Sequence, residues 1–408
     1  MSSRNKEEKE TRLREIVEHA YNNASAIQEK FDRAGVKPSD IQTVEDLSRI
    51  PITTKDDLLK LQRANPPFGG FLAVPIYKLN RIYVSPGPIY DAFDQTRVES
   101  QIYVFKDIMG ARPGDMVMVS FLYHMVPAGL TSTDALDMIG CTVIPAGVGN
   151  TELQVQIMHE LKATGYCGFP SFLMSTIKKA EEMGYDFRRD FNLKWAVGTG
   201  ERHIQVLREE FESKYGLNVI QFYGTADLGM IAYECAEKKG MHCADDMIVE
   251  IVDPDTGKRL GPHEEGEVVV TVLNDSYPLI RFGTGDLSFY TNEPCPCGRT
   301  SLRLTHISGM IGDHVRVKGM FIHHRELEEA MSKIDQVSKY QLVLSLREHK
   351  DWICLNVETD SAVAPEALTQ AIRERCKHVF KLTIDEINFL SKGELAEDAK
   401  LTMDNRWK

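Results

Sequence analysis

The sequence predicts an α/β fold. A large N-terminal domain spans 1–308, with mainly parallel sheets and a barrel-like β extension, and a small α+β domain spans 309–408. Three observations lead there. From about residue 74 to 232, short β-rich runs alternate with longer helical ones, the pattern of parallel strands covered by helices. After Asp245 strand-like runs follow one another, joined by turns at 253–257 and 274–276. Near 309–313 the chain turns glycine-rich and polar, a linker, and the roughly 100 residues beyond form a separate small unit.

Leu13, Ile16, Val17 and Ala20 recur at helical spacing and predict an opening amphipathic helix. Thr53, Thr54 and the early carboxylates Asp56 and Asp57 mark a second helix start. Strands are expected over 116–121, 141–145, 195–198 and 218–223, with helices over 152–162, 172–183 and 205–215 between them. Runs 248–252, 267–272 and the segment ending at Arg281 read as further strands. Beyond the linker the expected order is strand 315–318, helix 325–334, strands 340–345 and 352–358, helix 364–380 and strand 386–389.

At 408 residues the chain exceeds one ordinary core. A net charge of −12 argues against a nucleic-acid partner, since phosphate backbones are held by clustered Lys and Arg. No apolar run reaches the roughly 20 residues that cross a bilayer, and the charged opening MSSRNKEEKETR has no apolar signal core. The expectation is a cytoplasmic protein with no membrane partner. An interface between two copies, a homodimer, would account for the apolar N-terminal region.

Eight cysteines in such a chain do not suggest a disulfide framework. Cys141, Cys167, Cys354 and Cys376 sit among apolar neighbours and read as thiols of the core or surface. Cys235 and His242 bracket a polar turn, and Cys295-Pro-Cys297-Gly forms a second. Thiolates and an imidazole on two tight loops can close a tetrahedron around a structural Zn²⁺. Spacing leaves His242 and its neighbour Cys243 open as the fourth ligand, with His242 preferred.

The run FYGTAD (222–227) ends a β-rich stretch with an aromatic, a glycine and an acid. Such a turn lets a ring stack on a base while backbone approaches a phosphate, and the acid can hold Mg²⁺. In RFGTGD (281–286) an aspartate follows a glycine-bearing turn and can accept both hydroxyls of a ribose. A plain capped turn explains those residues equally well.

Taken in order, PITTKDDL (51–58), NPPFG (65–69), IPAGVGN (144–150), FPS (169–171), GE (200–201), YEC (233–235), GMH (240–242), PLIR (278–281), CPCGRT (295–300) and VKG (317–319) resemble the phenylacetate–CoA ligases, across nearly the whole chain. These are adenylate-forming enzymes that join a carboxylic acid to ATP with Mg²⁺ and then pass the acyl group to coenzyme A. The resemblance implies that Tyr223 packs against adenine with Gly224 and Thr225 beside it. It implies that Gly200 and Glu201 line the base pocket, that Asp227 is the Mg²⁺-linked acid, and that Asp286, with Arg281 nearby, holds the ribose. Lys400 stands as the catalytic lysine of the mobile small domain. Tyr123, His124, Gly168 and Pro170 fall where relatives build the acyl pocket.

The sequence also departs from its relatives. Their Ser/Thr/Gly loop, whose N–H groups cradle phosphates, is here YVSPGPIYD (83–91). Pro86 and Pro88 lack an N–H, and Asp91 adds a repelling charge. Ala226 stands where a threonine precedes the acid, and Met310 where an arginine precedes the hinge at Gly312. Two functions follow. One is an acid–CoA ligase acting on an aromatic or small acid with an altered phosphate grip. The other is a non-adenylating homologue that binds a nucleotide or acyl-CoA, or runs an ATP-independent transfer.

Overall fold

The computed structural model describes residues 3–85, 88–200, 204–311, 314–317, 320–347, 350–359, 365–380, 382–396 and 399–406. The chain divides into two compact units, Met1–Ser308 and Gly309–Lys408.

In the first unit a hairpin of β1 (Arg81–Ser85) and β2 (Ile89–Phe93) stands apart from one sheet of 11 strands. That sheet runs through β3 (Met116–Val119), β4 (Thr142–Pro145), β5 (Gly165–Gly168), β6 (Trp195–Gly198) and β7 (Asn218–Thr225). It continues through β8 (Gly229–Glu234), β9 (Met241–Cys243), β10 (Met247–Val252), β11 (Gly266–Val272), β12 (Phe282–Thr291) and β13 (Arg303–Met310). The spatial order is 10-11-12-13-9-8-7-6-5-3-4. Strands 4, 3, 5, 6 and 7 pair in parallel. The pairings 7–8, 8–9, 9–13, 10–11 and 11–12 are antiparallel. The α/β class is as expected, but the antiparallel extension is hydrogen-bonded into the same sheet, which is mixed rather than mainly parallel.

The parallel half shows why short apolar runs become strands here. Val117, Val119, Cys167, Trp195, Val197 and Ile220 face one buried core, while Met118, Tyr166, Ala196 and Val219 face another. Alternate side chains serve opposite faces, so both faces of the central strands are apolar, while the edge strand β4 stays partly exposed. Helices Thr151–Glu160 and Pro170–Glu182 cover the second face with Val155, Met158, Leu173 and Ile177. In the opening helix Ser3–Asn23, Leu13, Ile16, Val17 and Ala20 are fully buried, as their spacing predicts. Thr54 caps helix Lys55–Ala64, accepting from the Asp57 N–H while the Asp57 carboxylate answers the Thr54 N–H.

One strand expectation fails. The segment before Arg281 is not a strand; Asn274 Oδ1 gathers the N–H groups of Ser276 and Tyr277 at 3.0 Å each into a turn. Arg281 then takes a left-handed φ of +47°, so β12 begins only at Phe282.

The second unit holds a hairpin of β14 (His314–Val317) and β15 (Met320–His323). Its sheet has four strands, β16 (Val337–Arg347), β17 (Lys350–Thr359), β18 (Glu386–Leu390) and β19 (Thr402–Asp404), in the order 18-17-16-19. Helices His324–Met331 and Pro365–Phe380 pack on it through Leu327, Met331, Leu368, Ile372 and Cys376. Strands β15 and β19 were not anticipated. Gly312 and Asp313 lie outside the described residues.

Candidate active site

The first unit carries a cavity of about 170 Å³ between the end of β7 and two helices. Gly224, Thr225 and Ala226 form one wall, with Phe222 and Met230 from β7 and β8. Val126, Pro127 and Ala128 close it at the start of helix Pro127–Ile139. Arg97, Gln101, Thr131 and Thr199 add charged, amide and hydroxyl groups to the lining. A Cβ on Gly224 would lie 2.3 Å from the Gly229 carbonyl, so only glycine lets the two strands close this tightly.

Arg97 is fixed at the Asp227 end. Its Nη1 donates to the Ala92 carbonyl at 3.0 Å and its Nη2 to the Asp227 carbonyl at 2.9 Å. The Asp227 side chain is 1% exposed, and neither carboxylate oxygen accepts a hydrogen bond. The Lys55 ammonium lies 3.2 Å from it. Asp91 of β2, equally buried, adds a second carboxylate. Burial, and then the charge of Asp227, push Asp91 up to about 7, against the pull of Ser85, Arg97 and Lys55. The charge that looked merely repulsive in the sequence is thus part of a buried acid pair beside a lysine.

Tyr223 and Asp286, expected at the base and the ribose, meet each other. The Tyr223 hydroxyl donates to Asp286 Oδ2 at 2.7 Å between β7 and β12. Burial, followed by the Asp286 charge, raises Tyr223 well above an ordinary phenol. Thr225 Oγ1 accepts from the Leu228 N–H at 3.3 Å and holds the turn that precedes Asp227. Gly200, at φ +80°, follows β6, and a Cβ there would come within 2.7 Å of the Phe169 ring. Glu201 lies outside the described residues.

Other expected site residues sit elsewhere. Arg281 is 2% exposed, and its guanidinium is committed to Glu250 (Nε to Oε2, 3.1 Å) and to the carbonyls of Ile50 and Gly257 at 2.7 and 2.9 Å. The left-handed turn drives this side chain into the core, so it braces the scaffold and has no donor to spare for a nucleotide. Tyr123 bonds Thr133 Oγ1 at 2.9 Å, His124 is exposed, and Gly168 and Pro170 are packed at the ends of β5 and its helix. None of these four lines the cavity; Val126–Ala128, a few residues on, do instead. Lys400 is exposed in the second unit, its carbonyl held by Gln341 Nε2 at 2.9 Å.

The cysteine pairs converge. Ligand atoms of Cys235, His242, Cys295 and Cys297 all lie within 4.8 Å of one another. Cys235 Sγ is 3.8 Å from Cys295 Sγ, and Cys297 Sγ is 3.4 Å from His242 Nε2. Bonds of about 2.3 Å to sulfur and about 2.0 Å to nitrogen give tetrahedral edges of roughly 3.5–3.8 Å, so the set fits Zn²⁺. His242 Nδ1 contacts Ser301 Oγ at 3.1 Å, which leaves Nε2 aimed at the cluster. Burial, with Arg299 and Arg303, pushes His242 down to about 4, so its ring is neutral at pH 7. Cys243 is buried outside the group.

A family model of AMP-binding enzymes matches residues 96–272. The phenylacetate–coenzyme A ligase of Aromatoleum evansii is 31% identical over 369 residues, covering 87% of this chain and 81% of that protein. The chain belongs to the phenylacetate–coenzyme A ligase family. The phenylacetate–coenzyme A ligase of Escherichia coli (strain K12) is likewise 31% identical, over 90% of this chain and 84% of its own length. Within this adenylate-forming family, an open conformation of 2-hydroxyisobutyryl-CoA ligase, solved with 2-HIB-AMP and CoA, matches with a TM-score of 0.84 at 25% identity. It covers 98% of this chain and 91% of its own. No helix among the described residues is long and apolar enough to cross a membrane.

Sequence reasoning missed Lys55, Arg97, Gln101 and Thr131. Arg97 and Gln101 stand four residues apart among Val98 and Ile102, a helical spacing that puts two polar groups on one face of an apolar segment.

Proposed function

We propose that the protein ligates a small carboxylic acid to coenzyme A through an acyl-adenylate, using ATP and Mg²⁺. The observation that carries this reading is the cavity of about 170 Å³, which ends at Gly224–Ala226 beside Arg97 and Asp227. An apolar cavity of about 150 Å³ takes up benzene, so a single ring or a short branched acid fits.

In this reading the acid lies with its carboxylate toward Arg97 and the Thr225 turn. A carboxylate oxygen attacks the α-phosphorus of ATP, the P–O bond to pyrophosphate breaks, and an acyl-AMP forms. The thiolate of coenzyme A then attacks the acyl carbon, and the C–O bond to AMP breaks. Asp227 is the residue that would hold Mg²⁺, since its buried carboxylate lacks hydrogen bonds. A bound Mg²⁺ supplies charge neutralisation on the phosphates. Tyr223 and Asp286 hold the adenosine, and Lys400 serves the adenylation half on a small domain that moves between steps. Cys235, His242, Cys295 and Cys297 hold a structural Zn²⁺ that joins the turns flanking β9 and β13.

Asp91 favours a second reading. A second carboxylate beside Asp227 opposes a triphosphate, and Pro88 has no N–H to offer one. A non-adenylating homologue would keep AMP or acyl-CoA binding and lose ATP. Acid-dependent release of pyrophosphate, measured with and without CoA across a panel of aromatic and aliphatic acids, separates the two.

A further inference from the structure

Gln101 and Thr131 face the cavity from two different helices, Glu99–Tyr103 and Pro127–Ile139. Both are more than nine-tenths buried, at 5% and 4% exposure. Gln101 Nε2 donates to Thr131 Oγ1 at 3.1 Å, the one hydrogen bond either side chain makes among the described residues. Gln101 Oε1 is buried with no partner. The Thr131 hydroxyl accepts that bond, and among the described residues it makes no second one. An amide oxygen without a partner thus stands beside a buried hydroxyl in the wall of a cavity whose other polar groups are Arg97, Thr199 and Thr225. Buried polar groups are rarely left so, because each lost bond costs desolvation without return.

We propose that this pair reads a hydroxyl group on the acyl substrate. A hydroxyl is both donor and acceptor, so it can donate to Gln101 Oε1 while accepting from Thr131 Oγ1. The walls formed by Phe93, Val126, Ala128, Phe222 and Met230 take the apolar remainder. Arg97 lies in the 3-10 turn Gln95–Val98 and Gln101 in the helix Glu99–Tyr103 that follows it, so the carboxylate and the hydroxyl of the substrate are held at separate points of the cavity. The substrate class is a small monocyclic acid with a hydroxyl remote from its carboxylate. The inference rests on the ligase reading above.

The test compares phenylacetate with 4-hydroxyphenylacetate and 4-methoxyphenylacetate, and the three corresponding benzoates, by ATP–pyrophosphate exchange on the full chain. The wild type is expected to favour a hydroxylated acid over its unsubstituted partner by roughly 100-fold or more in kcat/KM, as sites built around a substrate hydroxyl do. In Gln101→Leu that ratio falls to near one, and Thr131→Ser, which keeps the hydroxyl, preserves it. The methoxy acids, which cannot donate, are rejected. A wild-type ratio near one, a ratio unmoved in Gln101→Leu, or equal use of methoxy and hydroxy acids overturns the proposal. If no acid supports exchange, the ligase reading fails on its own. Calorimetric binding of the same six acids to wild type and to Thr131→Val, which also serves if Gln101→Leu does not fold, then decides the subsite by the same ratios.

Discussion

The Tyr223 hydroxyl and the Asp286 carboxylate are joined at 2.7 Å, across strands that pair with different neighbours in the sheet. This contact ties the turn ahead of Asp227 to the strand that follows Arg281. If Asp286 grips a ribose, Tyr223 orients it. Tyr223→Phe should then weaken AMP binding by about 10- to 100-fold, the worth of one hydrogen bond to a charged group. Asp286→Ala should weaken it by about 100-fold. Calorimetric titration with AMP checks both, and wild-type affinity in Asp286→Ala would remove the residue from the nucleotide site.

Arg281 makes the opposite kind of prediction. Its guanidinium neutralises Glu250 in a fully buried setting, so Arg281→Met leaves a carboxylate without its counter-charge. The expected cost is about 3–5 kcal/mol of stability, read as a shift in the urea midpoint. The double variant with Glu250→Gln should recover much of that loss. A nucleotide contact would instead leave the midpoint in place and raise the KM for ATP.

Asp91 makes stability depend on pH in a defined direction. Its native pKa is raised to about 7, against about 3.9 in an unfolded chain. Between those values the native state keeps a proton that the unfolded state has released. This residue's contribution therefore favours folding less and less as pH rises from about 4 to about 7, and is level above that. Asp91→Asn should be more stable than wild type at pH 8 by on the order of 2–4 kcal/mol, and the gain should shrink steadily toward pH 5. A gain independent of pH would show that Asp91 is ionised throughout.

If the Cys235, His242, Cys295 and Cys297 cluster holds zinc, metal and structure are lost together. Cys295→Ser or Cys297→Ser should lower bound zinc well below one equivalent and lower the melting temperature, because metal affinity is folding free energy at such sites. Elemental analysis beside a thermal melt reads both, and a full equivalent of zinc in either variant would refute the ligand set.

How far the sequence could be read depended on the range of the contacts. Strands such as Trp195–Gly198 and the helix carrying Leu13, Ile16 and Val17 follow from local periodicity. The Cys295-Pro-Cys297 turn is legible for the same reason, since two of its ligand atoms are fixed by one short loop. The cavity beside Gly224–Ala226 is not lined by Tyr123, His124, Gly168 or Pro170, and it was not legible in the sequence. Its polar floor pairs residues 30 apart in sequence, brought together only when two helices pack. Arg281 was misplaced because its neighbours in a motif say nothing about which way a left-handed residue turns its side chain. Asp91 was noticed as a charge, but its burial beside Asp227 depends on how the β1–β2 hairpin packs.

Carboxylate-dependent exchange of labelled pyrophosphate into ATP, in the presence of Mg²⁺, tests the central claim most directly. It reports acyl-adenylate formation alone, without CoA. The account predicts exchange that requires both an acid and Mg²⁺ and that collapses in Lys400→Ala. Absence of exchange with every acid, while AMP or an acyl-CoA still binds, would contradict it and leave the non-adenylating reading.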